Sequence, residues 1–163
     1  MKKHFKTLMA VTVLFTVLSC GLSKDNRSSR DTINGTWELA SISYQGNEGY
    51  FKSELFGMAT SKCFKNSEWF FRSNNSTGYY TLPAGECAGG TQNIRWSVQD
   101  DANGQPSKFT FKYIDEKKND LYGGVGYVLD ITSLSENSMT LTSNENVDGE
   151  SIQLVYQFNK KTY

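Results

Sequence analysis

Cys63 and Cys87 are the first residues in this 163-residue chain that could do chemistry. A redox dithiol wants a Cys-x-x-Cys spacing, and these two are far from it. In an exported chain an even pair of this kind reads as a structural disulfide. Closing a loop of about 25 residues stabilises by roughly 3–4 kcal/mol in the chain-entropy picture. Carboxylate pairs could supply the acid and base of a glycosidase. Asp115-Glu116 and Asp148-Gly149-Glu150 are the nearest pairs, and both fall in turns. Turn acids face solvent, so a carboxylate-based hydrolase is the third reading and no catalytic residue is assigned. Asp100-Asp101-Ala102-Asn103-Gly104 offers the oxygens of a calcium loop, but Phe111 stands where the distal Glu belongs. That segment reads as a solvated hairpin turn, and no metal site is expected. Gly123-Gly124-Val125-Gly126 lacks the Lys-Ser/Thr of a phosphate loop and leads into a strand pattern. It reads as a tight turn or bulge.

The front of the chain reads as an address. Lys2, Lys3 and Lys6 precede an apolar run over 8–18, too short to cross a bilayer, which takes about 20 apolar residues. A positive head followed by a short apolar core makes a secretory signal over 1–19. Its end, Val17-Leu18-Ser19-Cys20, resembles the lipobox of bacterial lipoproteins, which implies lipidation of Cys20 as the mature first residue. Cleavage removes three lysines and no acid from 17 Lys+Arg and 17 Asp+Glu, so the mature net charge is −3. His4, the chain's one histidine, leaves with the signal. A Ser-His-Asp or Cys-His nucleophile and a histidine metal site are thereby excluded. The absence of a basic surplus argues against a nucleic-acid partner. Residues 20–33 are polar without periodicity and read as the lipidated N-terminus and a flexible tether. Within them, Lys24-Asp25 distantly resembles the charged tracts that send lipoproteins of some Gram-negative bacteria to the cell surface.

The elements that must position any site are strands. Period-two alternation predicts them over 35–44, 67–72, 77–82, 92–98, 108–114, 125–134, 138–143 and 151–159. Over 92–98, for example, Ile94, Trp96 and Val98 share one face and Asn93, Arg95 and Ser97 the other. In the sixth strand Val125, Tyr127, Leu129 and Ile131 are placed inside. Asn74-Asn75-Ser76, Asn103-Gly104, Lys118-Asn119-Asp120, Glu136-Asn137 and Asp148-Gly149 supply turn chemistry between them. Short joints imply antiparallel neighbours. The fold expected over 34–163 is all-β: an eight-stranded antiparallel up-and-down barrel, with a two-layer β-sandwich as the alternative. One stretch departs from the alternation. Tyr50, Phe51, Glu54, Leu55 and Met58 fall at helical spacing, which predicts a short helix or lid over 50–62 between the first two strands.

The inward positions collect rings: Phe71, Tyr80, Trp96, Phe109, Phe111, Tyr113, Tyr127 and Tyr156. An eight-stranded barrel is just wide enough to be filled by side chains or to hold one small ligand. These eight are therefore either a packed core or the lining of a cup for an apolar molecule. Phe70 and Tyr79 fall on the opposite face. They are to be covered by the 50–62 segment or to form a partner patch.

Gly35-Thr36-Trp37 opening the first strand, Trp69-Phe70-Phe71 with Gly78-Tyr79-Tyr80, Met139-Thr140-Leu141 and Tyr156-Gln157-Phe158 together resemble the small bacterial lipocalin-like lipoproteins. The late Arg that stacks on the Trp in typical lipocalins has no counterpart after Arg95, and Lys160 and Lys161 follow the eighth strand instead. The resemblance implies an eight-stranded barrel with a cavity for small apolar molecules. The leading expectation is a non-enzymatic lipoprotein of the bacterial cell envelope, held at the outer membrane by its acyl chains. On that reading the barrel binds a small, mostly apolar ligand without a cofactor. The rival is a packed structural or adaptor barrel that binds another envelope protein. The cavity is expected to open beside 50–62.

Overall fold

Alternating residues pair into strands, and the strands close into a ring. The computed structural model describes residues 24–45, 54–85, 87–147 and 149–162. The order is α1 (Lys24–Ile33), β1 (Gly35–Gln45), β2 (Glu54–Leu55), β3 (Ala59–Thr60), α2 (Ser61–Phe64), β4 (Glu68–Arg72), β5 (Thr77–Leu82), β6 (Gly90–Asp100), β7 (Pro106–Tyr113), β8 (Gly126–Leu134), β9 (Ser138–Val147) and β10 (Glu150–Lys160). Strands β4 to β10 pair antiparallel with their neighbours in sequence, and β1 pairs with both β10 and β4. The eight long strands thus form the expected closed up-and-down barrel. A sandwich would leave free margins where β1 closes the ring.

β1 can serve two neighbours because it bends. Its register against β10 shifts between Leu39 and Ser41, and an extra residue of this kind kinks a strand. Its first residues lie against β4, with Trp37 opposite Trp69. Gly78 permits a tight approach of β5 to β4. A Cβ there would stand 2.1 Å from the Phe70 carbonyl oxygen, which no side chain tolerates.

The alternation sorts residues as the sequence predicts over most of the ring. Ile94, Trp96 and Val98 are buried in β6, and Phe109, Phe111 and Tyr113 in β7. Val125 does not follow. It precedes β8, is 59% exposed, and belongs to the turn at Tyr122–Gly124. In that turn Tyr122, Gly123 and Gly124 all take positive φ, the tight connection expected of the glycine run.

Two segments differ from the sequence reading. The span read as a flexible tether is helical from Lys24 onward. α1 plugs one end of the barrel. Asn26 Nδ2 donates to Val98 O at 2.7 Å, Arg30 donates to Ser73 O and to Ser76 Oγ, and Ile33 is fully buried. The Arg30 guanidinium lies 5.0 Å from the centroid of the Trp96 ring. Asn26, Ser29, Arg30 and Ile33 are all buried. They sit at i, i+3, i+4 and i+7, a helical face made mostly of polar side chains, which hydrophobic periodicity does not register.

The second, expected as a short helix or lid, is a lid, but one built as a hairpin. Tyr50 and Phe51 lie outside the described residues. From Glu54 the chain forms a small hairpin, β2 paired with β3, and then the single turn α2. Phe56 (φ 53°) and Gly57 (φ 62°) both occupy the left-handed region. Two such residues in succession make a tight turn and break a right-handed helix. Met58, expected on a buried helical face, is 38% exposed. The Cys63–Cys87 disulfide forms as expected and joins α2 to the loop after β5, with Cα atoms 5.7 Å apart.

Candidate binding site at the barrel mouth

The up-and-down order assigns each connection to an end. α1 contacts the β4–β5 turn through Arg30 and the end of β6 through Asn26, so that end is closed. The hairpin of β2 and β3 and the β5–β6, β7–β8 and β9–β10 connections lie at the other end, the mouth.

The eight expected lumen residues divide between the two ends. Phe71, Trp96 and Phe109 pack together under α1, with Phe71 5.5 Å from Trp96 and 5.4 Å from Phe109. Phe111, Tyr127 and Tyr156 instead surround a residue that sequence reasoning missed. Phe56, at the tip of the hairpin, projects its ring into the mouth. Its centroid is 5.1 Å from Phe111, 5.4 Å from Tyr127 and 5.6 Å from Tyr156, stacked on the last. Phe64 and Trp69, also absent from the expected set, complete the surround at 5.2 and 6.3 Å. Alternation alone could have supplied Trp69, two residues before Phe71. Phe56 carries no comparable signal, because its direction is set by a left-handed turn.

Hydroxyls lead from the interior to this ring. Tyr113 OH donates to the Phe56 carbonyl at 2.9 Å, and Tyr80 OH lies 3.2 Å from Tyr113 OH. With the Tyr113 proton committed to Phe56, Tyr80 is the donor of that second bond. Burial pushes the Tyr80 and Tyr156 hydroxyls up to about 12, and it raises Tyr113 as well. Tyr127 is raised by burial and then by the Glu54 carboxylate. These groups are neutral donors at ordinary pH.

A cleft of about 320 Å3 opens beside the hairpin, where the cavity was expected. Leu55, Phe56 and Gly57 form one wall, and Tyr127, Leu129, Ser143 and Tyr156 form the others, with Glu54 and Glu145 also in the lining. Its position follows from the sheet. β8 and β9 pair from Leu134↔Met139 up to Asp130↔Thr142, and the cleft lies between the strands beyond that point. Tyr156 OH is 3.1 Å from Ser143 Oγ across it. Its walls combine ring and aliphatic faces from Leu55, Phe56, Tyr127, Leu129 and Tyr156 with the Ser143 hydroxyl and the Glu54 and Glu145 side chains, a lining that fits a small molecule with an apolar body and a polar end.

Other candidates resolve into structure. Asp101 accepts the Gln105 and Asn103 amides, and these bonds hold its carboxyl below the usual range. Asp115 is held low by the Asn119 side chain and amide. Asp148 and the Glu150 side chain lie outside the described residues, as does Cys20. Among the described residues no cluster of His, Cys, Asp and Glu could hold a metal ion. Phe70 and Tyr79 lie together outside the barrel, ring centroids 5.4 Å apart and tilted, with Arg72 over Phe70. The described part of the segment expected to cover them packs into the mouth instead.

A family model described as a lipocalin-like domain matches residues 33–141. The chain belongs to the lipocalin-like family. The match carries the family's fold, an eight-stranded barrel whose members bind small hydrophobic ligands. In this lipocalin-like chain a lysine lies on the tryptophan of the Gly-x-Trp that opens β1. Lys160 Nζ stands 5.1 Å over the Trp37 ring and donates to Thr32 O, while Trp37 Nε1 donates to Ile33 O at 2.7 Å. The lysine thus seals the closed end against α1. A lipocalin-like protein from Bacteroides uniformis is 14% identical, over 80% of this chain and 99% of that one, with a TM-score of 0.46. A protein from Bacteroides eggerthii is 12% identical over 78% and 98%, with a TM-score of 0.44. Bovine odorant-binding protein in complex with undecanal is 17% identical over 80% and 72%, with a TM-score of 0.39. No curated protein matches the chain.

Proposed function

We propose that this protein is a non-enzymatic carrier lipoprotein of the bacterial envelope that holds a small, mostly apolar molecule at the mouth of its barrel. The observation that supports this reading most is the cleft beside the hairpin, with Leu55, Tyr127, Leu129 and Tyr156 in its walls. The anchor on this reading is Cys20, at the outer membrane. Gly21, Leu22 and Ser23 alone separate Cys20 from α1, and three residues reach at most about 11 Å. A lipid on Cys20 would hold the closed end against the bilayer and turn the mouth toward the aqueous compartment. Stable anchoring needs more than one acyl chain, which lipoproteins of this kind carry.

A second reading has its own support. The adjoining rings of Phe70 and Tyr79 form an apolar patch outside the barrel, which suits an adaptor that binds another envelope protein.

Two measurements test the proposal. Mass spectrometry of small molecules extracted from natively purified protein is expected to recover an apolar compound. The emptied protein is expected to bind N-phenyl-1-naphthylamine in the micromolar range, about −8 kcal/mol. Repeated recovery of nothing, with no probe fluorescence, removes the carrier reading. Separately, Cys20→Ser is expected to move the protein from the membrane fraction to the soluble one. Unchanged membrane retention removes the anchor.

A further inference from the structure

Phe56 sits in the mouth as a ligand would. It is half-buried, its ring stacks on Tyr156 and meets Phe111 and Tyr127, and its carbonyl takes the Tyr113 proton. The element that delivers it is slight. β2 and β3 have two residues each, and the turn between them places a phenylalanine in the left-handed region at φ 53°. A side chain there is strained and persists only where its surroundings impose it. The surroundings here are the ring contacts and the Tyr113 bond. Both can be matched by a free molecule.

We propose that the Phe56 hairpin is a built-in competitor for the mouth, and that the molecule displacing it carries an aromatic ring with a carbonyl three bonds away, as Phe56 itself does. The inference rests on the carrier reading above and gives its ligand a chemical class. The ring takes the place of the Phe56 ring against Tyr156 and Phe111. The carbonyl accepts from Tyr113, whose own acceptor site is filled by the Tyr80 hydroxyl. Displacement releases the turn from its left-handed backbone, so the hairpin gains on leaving part of what it loses in contacts. The cleft beside Leu55 and Tyr127 is the route by which a ligand reaches the ring surround before the hairpin has fully left.

The test uses the full chain and 3-phenylpropanamide, with propylbenzene as the ring lacking a carbonyl. Binding is read by displacement of N-phenyl-1-naphthylamine. A site open only part of the time binds more weakly by the open fraction, so Phe56→Ala is expected to tighten the amide by about ten- to a hundred-fold. Adding Tyr113→Phe is expected to weaken the amide by roughly three- to ten-fold and to leave propylbenzene unchanged. In the otherwise unaltered chain, a fluorine on the Phe56 ring is expected to shift toward its solvent position at saturating amide. Equal amide affinity with and without the Phe56 ring overturns the competitor. An unmoved fluorine signal at saturation does the same, and it decides alone if Phe56→Ala does not fold. Identical responses of amide and propylbenzene to Tyr113→Phe overturn the ligand class. Uptake of the naphthylamine with no gain for the amide sinks this inference and leaves the carrier standing. No uptake of any probe by either protein sinks both.

Discussion

Trp69→Ala is expected to cost about 3–5 kcal/mol of folding stability, the range for emptying a buried indole or phenyl site. Trp69 is 1% exposed and lies between the two ends of the barrel. Its ring is 4.6 Å from Tyr80, 5.6 Å from Phe111 and 5.8 Å from Phe158, so it touches strands from three sides of the lumen. Its indole N–H donates to Ser67 Oγ at 2.8 Å, and that hydroxyl donates in turn to Phe64 O. Truncation therefore opens a void among rings that are held by their own strands and collapse poorly. Ser67 keeps its bond to Phe64, so the loss is chiefly packing. Phe70, the next residue, is the control: its half-buried ring lies outside the barrel, and Phe70→Ala is expected to cost about 1 kcal/mol or less. Urea unfolding midpoints of the two variants check the contrast. Equal losses at the two positions would mean that the inward and outward faces of β4 are wrongly drawn. Against a total of about 5–15 kcal/mol, the larger loss leaves a protein close to its stability limit.

That contrast rests on period-two alternation, which is also what made the barrel legible. In β6 and β7 successive side chains point alternately into the barrel and out of it, and a strand covered on one face has to show this pattern. The long strands were therefore recoverable, and so was the lumen face with Phe71, Trp96, Phe109 and Phe111. α1 was hidden for a physical reason. Its buried face is Asn26, Ser29, Arg30 and Ile33, and the groups that satisfy it come from β6 and the β4–β5 turn, far along the chain. Polar residues with remote partners look like a tether. The Lys160 contact with Trp37 was hidden similarly, since a lysine after the last strand reads as solvated until Thr32 O and the indole face are brought to it. The lid was legible in place but not in kind, because Leu55 and Met58 mimic helical spacing while the decisive fact is backbone handedness at Phe56. The cleft was anticipated in place, but its walls depend on where β8 and β9 part, which no local pattern states.

The interior tyrosines set an expectation for alkaline solution. In the unfolded chain a tyrosine loses its proton near pH 10. In the folded barrel burial holds the Tyr80 and Tyr156 protons up to about 12 and raises Tyr113 as well. Between about pH 10 and 12 the folded state therefore binds more protons than the unfolded one, and stability falls as pH rises. Below about pH 9 both states hold these protons and the term is flat. Two pH units of displacement correspond to about 3 kcal/mol per tyrosine, so the interior group is expected to remove several kcal/mol across that window. Lys160 works in the other direction. Burial holds it below the usual lysine range, and a folded-state cation that sheds its proton early makes stability rise with pH in its own window. One half-buried lysine does not offset the tyrosines. Urea unfolding at a series of pH values should show a level midpoint up to about pH 9 and a steep decline above pH 10, with buried tyrosinate absorbance appearing together with unfolding. Tyr156→Phe should flatten part of the decline. If the midpoint stays level to pH 12, or the part of the tyrosinate signal that Tyr156→Phe removes forms near pH 10 in a chain that remains folded, water reaches these hydroxyls, and the ring-lined mouth on which the binding proposal depends does not exist.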